Sequence, residues 1–246
     1  MKQNKVVAII QARMASTRLP GKVLKNVNNK SILEIVISRV KMSRRISSIV
    51  VATTEKKEDD KIVDIARKCE VDWYRGSEND VLKRFVDASK MADARTIVRI
   101  TADNPLTDPE LIDDLIKAHL KSEADYSHSV GTPLGIGAEV VNKETLEKIN
   151  FIVNAPEDRE HVTLYIKEHP EFFKIQNIKA EAFGLNYPNI RLTVDTEEDL
   201  ELMRSLHKNL GDLEKLKIKG VIEFLNTHPE LSKINAHIKQ KIPKLC

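Results

Sequence analysis

Cysteine is almost missing from this 246-residue chain. Cys69 and Cys246 stand far apart, so they offer neither a disulfide framework nor a metal cluster. A reducing compartment fits, and a cytoplasmic protein is expected. Charge of one sign is missing as well: 40 Lys and Arg against 37 Asp and Glu leave a net charge of +3. That balance gives no general field for nucleic acid or membrane, so an anion site must be local. Long apolar runs are also lacking. The longest are five or six residues, too short to span a bilayer. The N-terminal one, Val6-Val-Ala-Ile-Ile10, is broken at once by Gln11 and Arg13, unlike a secretory leader. No Gly-x-Gly-x-x-Gly follows it, which argues against a dinucleotide-binding oxidoreductase. Internal repeats and low-complexity tracts are absent. What is left, 41% hydrophobic and 31% charged residues, suits one large α/β domain or one domain with an appendage.

Val6 to Ile10 is β-branched and short, and reads as a buried strand. Apolar residues at Ile32, Leu33, Ile35, Val36 and Val40 have helical spacing, with Ser31 and Glu34 placed for a capping box. The same reading gives strands at 49–52, 71–74 and 97–100, and helices at 59–68, 81–91 and 109–120. Four strand–helix alternations with short connections predict a parallel sheet covered on both faces. The second half is less regular. Strands are expected at 126–129, 139–141, 172–178 and 190–194, the third on a hairpin leaving the main sheet. Helices are expected at 143–149, 156–168 and 195–208, and two more, interrupted by Pro229, between 216 and 244.

The densest chemistry is Gln11-Ala-Arg-Met-Ala-Ser-Thr-Arg-Leu-Pro-Gly-Lys22. Arg13, Arg18 and Lys22 fall within ten residues, Ser16 and Thr17 lie between them, and Pro20-Gly21 sets a turn before the lysine. Open α/β sheets place ligands in loops leaving the carboxyl ends of parallel strands. A polyanion is expected here, against the plainer alternative of a solvated basic loop. Asp103 and Asp195 each follow an expected strand. Asp103 could be a turn residue and Asp195 an N-cap. Both would nevertheless lie on the edge that carries the cationic loop, where hard oxygen ligands and phosphate oxygens can share Mg²⁺.

Residues 10–24 resemble the opening motif of the cytidylyltransferase family that includes CMP-Kdo and CMP-sialic acid synthetases, and most resemble its spore-coat polysaccharide, SpsF-like branch. The resemblance extends over residues 5–205, through Arg75-Gly-Ser-Glu-Asn-Asp-Val-Leu82, Thr101-Ala-Asp-Asn-Pro105, Arg159-Glu-His161 and Thr193-Val-Asp-Thr-Glu-Glu-Asp-Leu200. It implies a Rossmann-like, mostly parallel α/β sheet of the nucleotide-diphospho-sugar transferase type, with an irregular β insertion and C-terminal helices. Residues 1–210 would form the nucleotidyltransferase domain, 130–180 an insertion or dimerisation segment, and 211–246 a packed helical extension.

By the same resemblance Arg13, Arg18 and Lys22 would bind the triphosphate and act in catalysis. Gln11, Ala12, Ser16, Gly76, Ser77, Asp80, Thr101 and Asp103 would complete the nucleotide site. Asp103 and Asp195 would hold Mg²⁺, and Glu139, Arg159 and His161 would face the acceptor. The implied reaction joins CMP from CTP to a small acidic or phosphorylated acceptor and releases pyrophosphate, in a homodimer serving surface polysaccharide synthesis. This chain departs from SpsF-like sequences at Pro133-Leu-Gly-Ile-Gly-Ala-Glu139, where Leu134 and Gly137 replace an Arg and an Asp. Two other classes compete. A glycosyltransferase of related design usually shows Asp-x-Asp, whereas Thr101 precedes Asp103 here. A non-catalytic nucleotide-binding protein would tolerate loss of the loop charges.

Overall fold

The computed structural model describes residues 5–240. β1 (Val6–Gln11) leads through the cationic loop to a small hairpin, β2 (Asn26–Val27) and β3 (Lys30–Ser31), which the sequence pattern did not reveal. Then follow α1 (Ile32–Val40), β4 (Ser48–Thr54), α2 (Asp60–Lys68), β5 (Asp72–Gly76), α3 (Val81–Met91), β6 (Thr96–Thr101) and α4 (Pro109–Ser122). The expected alternation is therefore present. The second half contributes β7 (Tyr126–Val130), β8 (Glu139–Asn142), α5 (Lys143–Ile152), α6 (Pro156–His161), α7 (Leu164–Glu168) and β9 (Ile175–Lys179). The chain closes with α8 (Glu197–Leu210), α9 (Ile218–Thr227) and the single turn α10 (Pro229–Ser232).

Seven strands form one sheet in the order β5-β4-β1-β6-β8-β7-β9. β1, β4, β5 and β6 pair in parallel, β8 runs antiparallel to β6 and β7, and β9 returns parallel to β7. Alternation along β1 explains the two-sided core. Ala8 and Ile10 pack with apolar residues of α1, α4, α8 and α9, while Val7 and Ile9 pack with those of α3 and α5. Local signals set the helix starts. Ser31 and Glu34 make the reciprocal capping box on α1, and Asp80 accepts the Lys83 N–H at the start of α3.

Three expectations need correction. Residues 190–194 do not form a strand of the sheet. They are an extended segment making one bridge, between Leu134 and Arg191, because Leu134 donates to the Ile190 carbonyl and Leu192 to the Leu134 carbonyl. The 172–178 strand stays in the main sheet as β9, shifted to 175–179 and forming its edge beside β7. The 156–168 helix breaks at Val162, which has φ 54° and ψ −52° and a fully buried side chain. The break expected at Pro229 is present: α9 ends at Thr227 and Pro229 starts α10, as its fixed φ allows at a first helical position. The end of the last expected helix and Cys246 lie outside the described residues.

Candidate active site

The connection from β1 to the hairpin is pinned at several points. Ala12, Leu19 and Val23 are buried. The Met14 N–H donates to Asp59 Oδ1 at 2.7 Å, and the Gly21 N–H donates to the Met14 carbonyl at 3.0 Å. Gly21 has φ 66°, a left-handed conformation that suits glycine, and it turns the chain so that Lys22 points back over the sheet edge. The apolar anchors leave the intervening cations facing a cavity of 1070 Å³ at the carboxyl edge of β1 and β6.

Asp103 and Asp195 reach this cavity from different directions. Asp103 follows β6, and its carbonyl accepts the Val194 N–H at 2.8 Å. That bond fastens the loop after β6 to the extended segment carrying Asp195. A second contact keeps the segment close: Gly135, at φ 99°, lies so near it that a Cβ would meet the Thr193 nitrogen at 2.5 Å. Asp195 is not an N-cap. Thr196 caps α8, in a capping box with Asp199. The Asp195 carboxylate is thereby left to the cavity.

Lys22 joins the two acids. Its Nζ donates to Asp103 Oδ2 at 2.5 Å and Asp195 Oδ1 at 2.6 Å. Arg18 and Arg191 reach Asp195 Oδ2 at 2.9 and 3.0 Å. Burial pulls the Lys22 pKa down, but Asp103 and Asp195 outweigh it and raise it above the ordinary value. Burial alone would raise the Asp195 pKa; Lys22, Arg18 and Arg191 instead depress it. Behind this centre lies a buried network. Arg191 pairs with Asp199 at 2.8 Å, and Asn235 Nδ2 donates to Asp199 Oδ1 at 2.8 Å and to the Arg191 carbonyl at 3.1 Å. Arg191 Nη1 donates to Gln240, which itself lines the cavity. The C-terminal extension is thus wired to Asp195.

Of the expected site residues, Gln11, Ala12, Arg13, Ser16, Arg18, Lys22, Thr101, Asp103, Glu139, His161 and Asp195 line this one cavity. Gly76, Ser77, Asp80 and Arg159 do not. Asp80 caps α3 and pairs with Arg159, whose Nη1 also donates to the Asn150 carbonyl at 2.9 Å. Ser77 acts one layer back, its carbonyl accepting from Arg84 Nη1 at 2.5 Å. Arg84, Arg99 and Lys167 also line the cavity, and the sequence reading passed over them. A visible signal existed for Arg99, a lone charge between Val98 and Ile100 in a buried strand. Arg84 had none, since an arginine on an amphipathic helix normally faces water.

Three buried polar atoms on the cavity lack a hydrogen-bond partner among the described residues: Gln11 Oε1, Arg84 Nε and Arg99 Nε. Such atoms are costly unless a ligand or water satisfies them. Burial, reinforced by the positive charge of Arg13, lowers the Arg84 pKa to about 10. Arg13 itself pairs with Glu160 at 3.1 Å across the mouth.

An open α/β sheet whose carboxyl edge sets a cationic loop against two carboxylates is the arrangement of a nucleotidyltransferase. The comparisons agree. A family model described as cytidylyltransferase matches residues 7–221. The spore coat polysaccharide biosynthesis protein SpsF of Bacillus subtilis is 41% identical, over 92% of this chain and 96% of its own. A 3-deoxy-manno-octulosonate cytidylyltransferase of Geobacter metallireducens is 30% identical, over 73% of this chain and 68% of its own. The solved structure of a cytidylyltransferase from Leptospira borgpetersenii superposes with a TM-score of 0.89 at 33% identity, covering 98% of this chain and 99% of its own. The chain belongs to the cytidylyltransferase family.

Proposed function

We propose that this enzyme transfers CMP from CTP to a small anionic acceptor, releasing pyrophosphate, in the synthesis of a surface polysaccharide or other glycoconjugate. The observation that carries the reading is Lys22 Nζ, held between Asp103 and Asp195 with Arg18 alongside. A ligand carrying both negative phosphates and a metal can replace these ion pairs, the phosphates taking the cations and the metal the carboxylates. Membership of the cytidylyltransferase family supports CTP as the donor. The unpartnered Gln11 Oε1 offers an acceptor for a base amino group. A cytoplasmic location fits the supply of CTP, and among the described residues no helix is long and apolar enough to cross a membrane.

The donor chemistry fits Mg²⁺. Asp103 and Asp195 present hard carboxylate oxygens to one point, where the Lys22 ammonium bridges them. No group of three or more His, Cys, Asp or Glu among the described residues could hold a metal, so substrate oxygens would complete the shell. When bound, the ion would screen the carboxylates from the triphosphate and stabilise charge on the departing pyrophosphate. Arg13, Arg18 and Lys22 would orient the phosphates, so that the acceptor oxygen attacks the α-phosphorus and pyrophosphate leaves. Such chemistry depends on positioning and electrostatics.

The test is release of pyrophosphate from CTP and Mg²⁺ across a panel of acidic and phosphorylated acceptors. Lys22→Ala and Asp103→Asn should each cost more than about tenfold in turnover, or ~1.4 kcal/mol of barrier. Smaller losses would move the site elsewhere. Thermal stabilisation by GTP or UTP with none by CTP would overturn the base assignment.

A further inference from the structure

Glu139, expected to face the acceptor, has a carboxylate that is already fully engaged. Oε2 accepts from Arg99 Nη1 at 2.7 Å and from Thr163 Oγ1 at 2.9 Å. Oε1 accepts from the Tyr126 hydroxyl at 2.7 Å and from Lys167. A carboxylate has about four acceptor positions, so none remains for a substrate. Burial would raise the Glu139 pKa, but Arg99 and Lys167 overcome it and hold the group far below the usual carboxylate range. An ionised acid would also repel an acidic acceptor.

The cations around it are differently placed. Among the described residues, Arg99 uses only Nη1 in a hydrogen bond; its Nε is buried without a partner. The Lys167 side chain is 39% exposed, and both residues line the cavity. Two cations against one carboxylate leave a net positive charge facing inward. His128 adds none at neutral pH, because burial and the Lys167 charge lower its pKa.

The sheet builds this cluster as a single cross-strand row. Arg99 on β6 pairs with Glu139 on β8, Glu139 with His128 on β7, and His128 with Asn177 on β9. The break between α6 and α7 completes it. Val162 occupies positive φ, uncommon and strained for a β-branched residue, and the turn it makes sends Thr163 and then Lys167 to Glu139. Val162 itself is buried behind the cavity, between the lining residues His161 and Lys167. Leu134, Gly137 and Ala138, which line the same cavity, carry no charge.

We propose that this row is the acceptor subsite: Arg99 and Lys167 bind the carboxylate or phosphate of the acceptor, and Glu139 positions both without touching it. The proposal rests on the nucleotidyl-transfer reading. The guanidinium fork suits a two-oxygen anion, the ammonium supplies a second point of charge, and the uncharged wall admits the acceptor's body.

Calorimetry on the whole protein tests it, with Mg²⁺ and the α,β-methylene analogue of CTP present. The probes are glucuronate, glucose 6-phosphate, inorganic phosphate and glucose. At least one anion should bind, and glucose at least tenfold more weakly. Preference for glucuronate or for glucose 6-phosphate decides between a carboxylate and a phosphate. Arg99→Gln and Lys167→Gln should each weaken the bound anion at least tenfold while leaving the nucleotide analogue within twofold. Lys167→Gln changes a half-exposed side chain, so it tests the idea even if the Arg99 variant folds poorly. Glu139→Gln keeps the shape and an acceptor oxygen while removing the charge, so it should leave anion affinity within threefold or raise it; a tenfold loss would overturn the subsite as drawn. Glucose binding as well as the anions, binding of no anion by the wild-type protein, or unchanged affinity in Lys167→Gln overturns the subsite. Failure of the nucleotide analogue to bind would instead overturn the nucleotidyl-transfer reading.

Discussion

At the scale of single residues, the site is governed by groups whose charges hold one another in place. Asp195 and Glu139 have depressed pKa values, from ordinary values of 3.8 and 4.5. Their stabilisation is present above those values and lost as pH falls through the folded ones. Lys22 is raised above 10.5, so its contribution is complete below that pH and lost as pH rises through its folded value. These three groups make thermal stability decline below about pH 4 and above about pH 10.5, and His128, whose pKa is lowered from 6.5, adds a loss that begins as pH falls through 6.5. Asp195→Asn should shallow the acid limb in a melting series, and an unchanged limb would remove Asp195 from the linkage. Arg84 is the reverse case, a cation pressed by burial and by Arg13. A bound polyphosphate would relieve it. Arg84→Met should weaken CTP binding by about tenfold, ~1.4 kcal/mol, in a titration at fixed Mg²⁺.

At the scale of elements, the decisive feature is an irregular one. The segment before α8 carries Asp195, and it is placed by Leu134, by the Asp103 carbonyl and by the bare backbone of Gly135. A side chain at 135 must push that segment away from Asp103. Gly135→Ala should destabilise by more than ~1 kcal/mol and lower Tm by at least ~2 °C, and a melt within error of wild type would refute the close approach. The C-terminal extension matters by a longer route. Arg39, buried in α1, donates to the carbonyls of Thr107, Leu213 and Leu216 and ties the start of that extension to the core. Asn235 then supports Asp199 and Arg191. Asn235→Ala should leave a folded protein whose half-saturating Mg²⁺ concentration for CTP-induced stabilisation rises several-fold. No change would reduce the extension to packing.

At the scale of the whole molecule, one cavity collects groups from both halves of the chain. Its 1070 Å³ suits a nucleoside triphosphate with an acceptor beside it. A homodimer remains our proposal for the assembly, with residues 130–180 as the contact. That stretch exposes Val130, Phe151, Ile152 and Phe172, and its β9 is the edge of the sheet. Exposed apolar groups and a sheet edge within one stretch of the chain favour a covering partner. Light scattering should show a dimer that Phe151→Asp combined with Phe172→Asp converts to monomer, and a wild-type monomer would end the proposal.

Taken alone, the sequence determined the parallel core, the capping box that starts α1 and the half of the site that is local in the chain. β-branched runs can only be buried strands, and the three cations of the first loop are fixed to the strand end by the chain itself. It also marked Asp103 and Asp195 as candidates, although the strand expected before Asp195 proved to be an extended segment held by a single bridge. Only the tertiary structure decided that both acids close on Lys22, because that depends on hydrogen bonds between segments 81 and 173 residues apart. It likewise put Asp80 and Arg159 into support and turned Glu139 from a candidate ligand into a partner of Arg99 and Lys167. Those assignments follow from strand order and register, and no local pattern of residues encodes either.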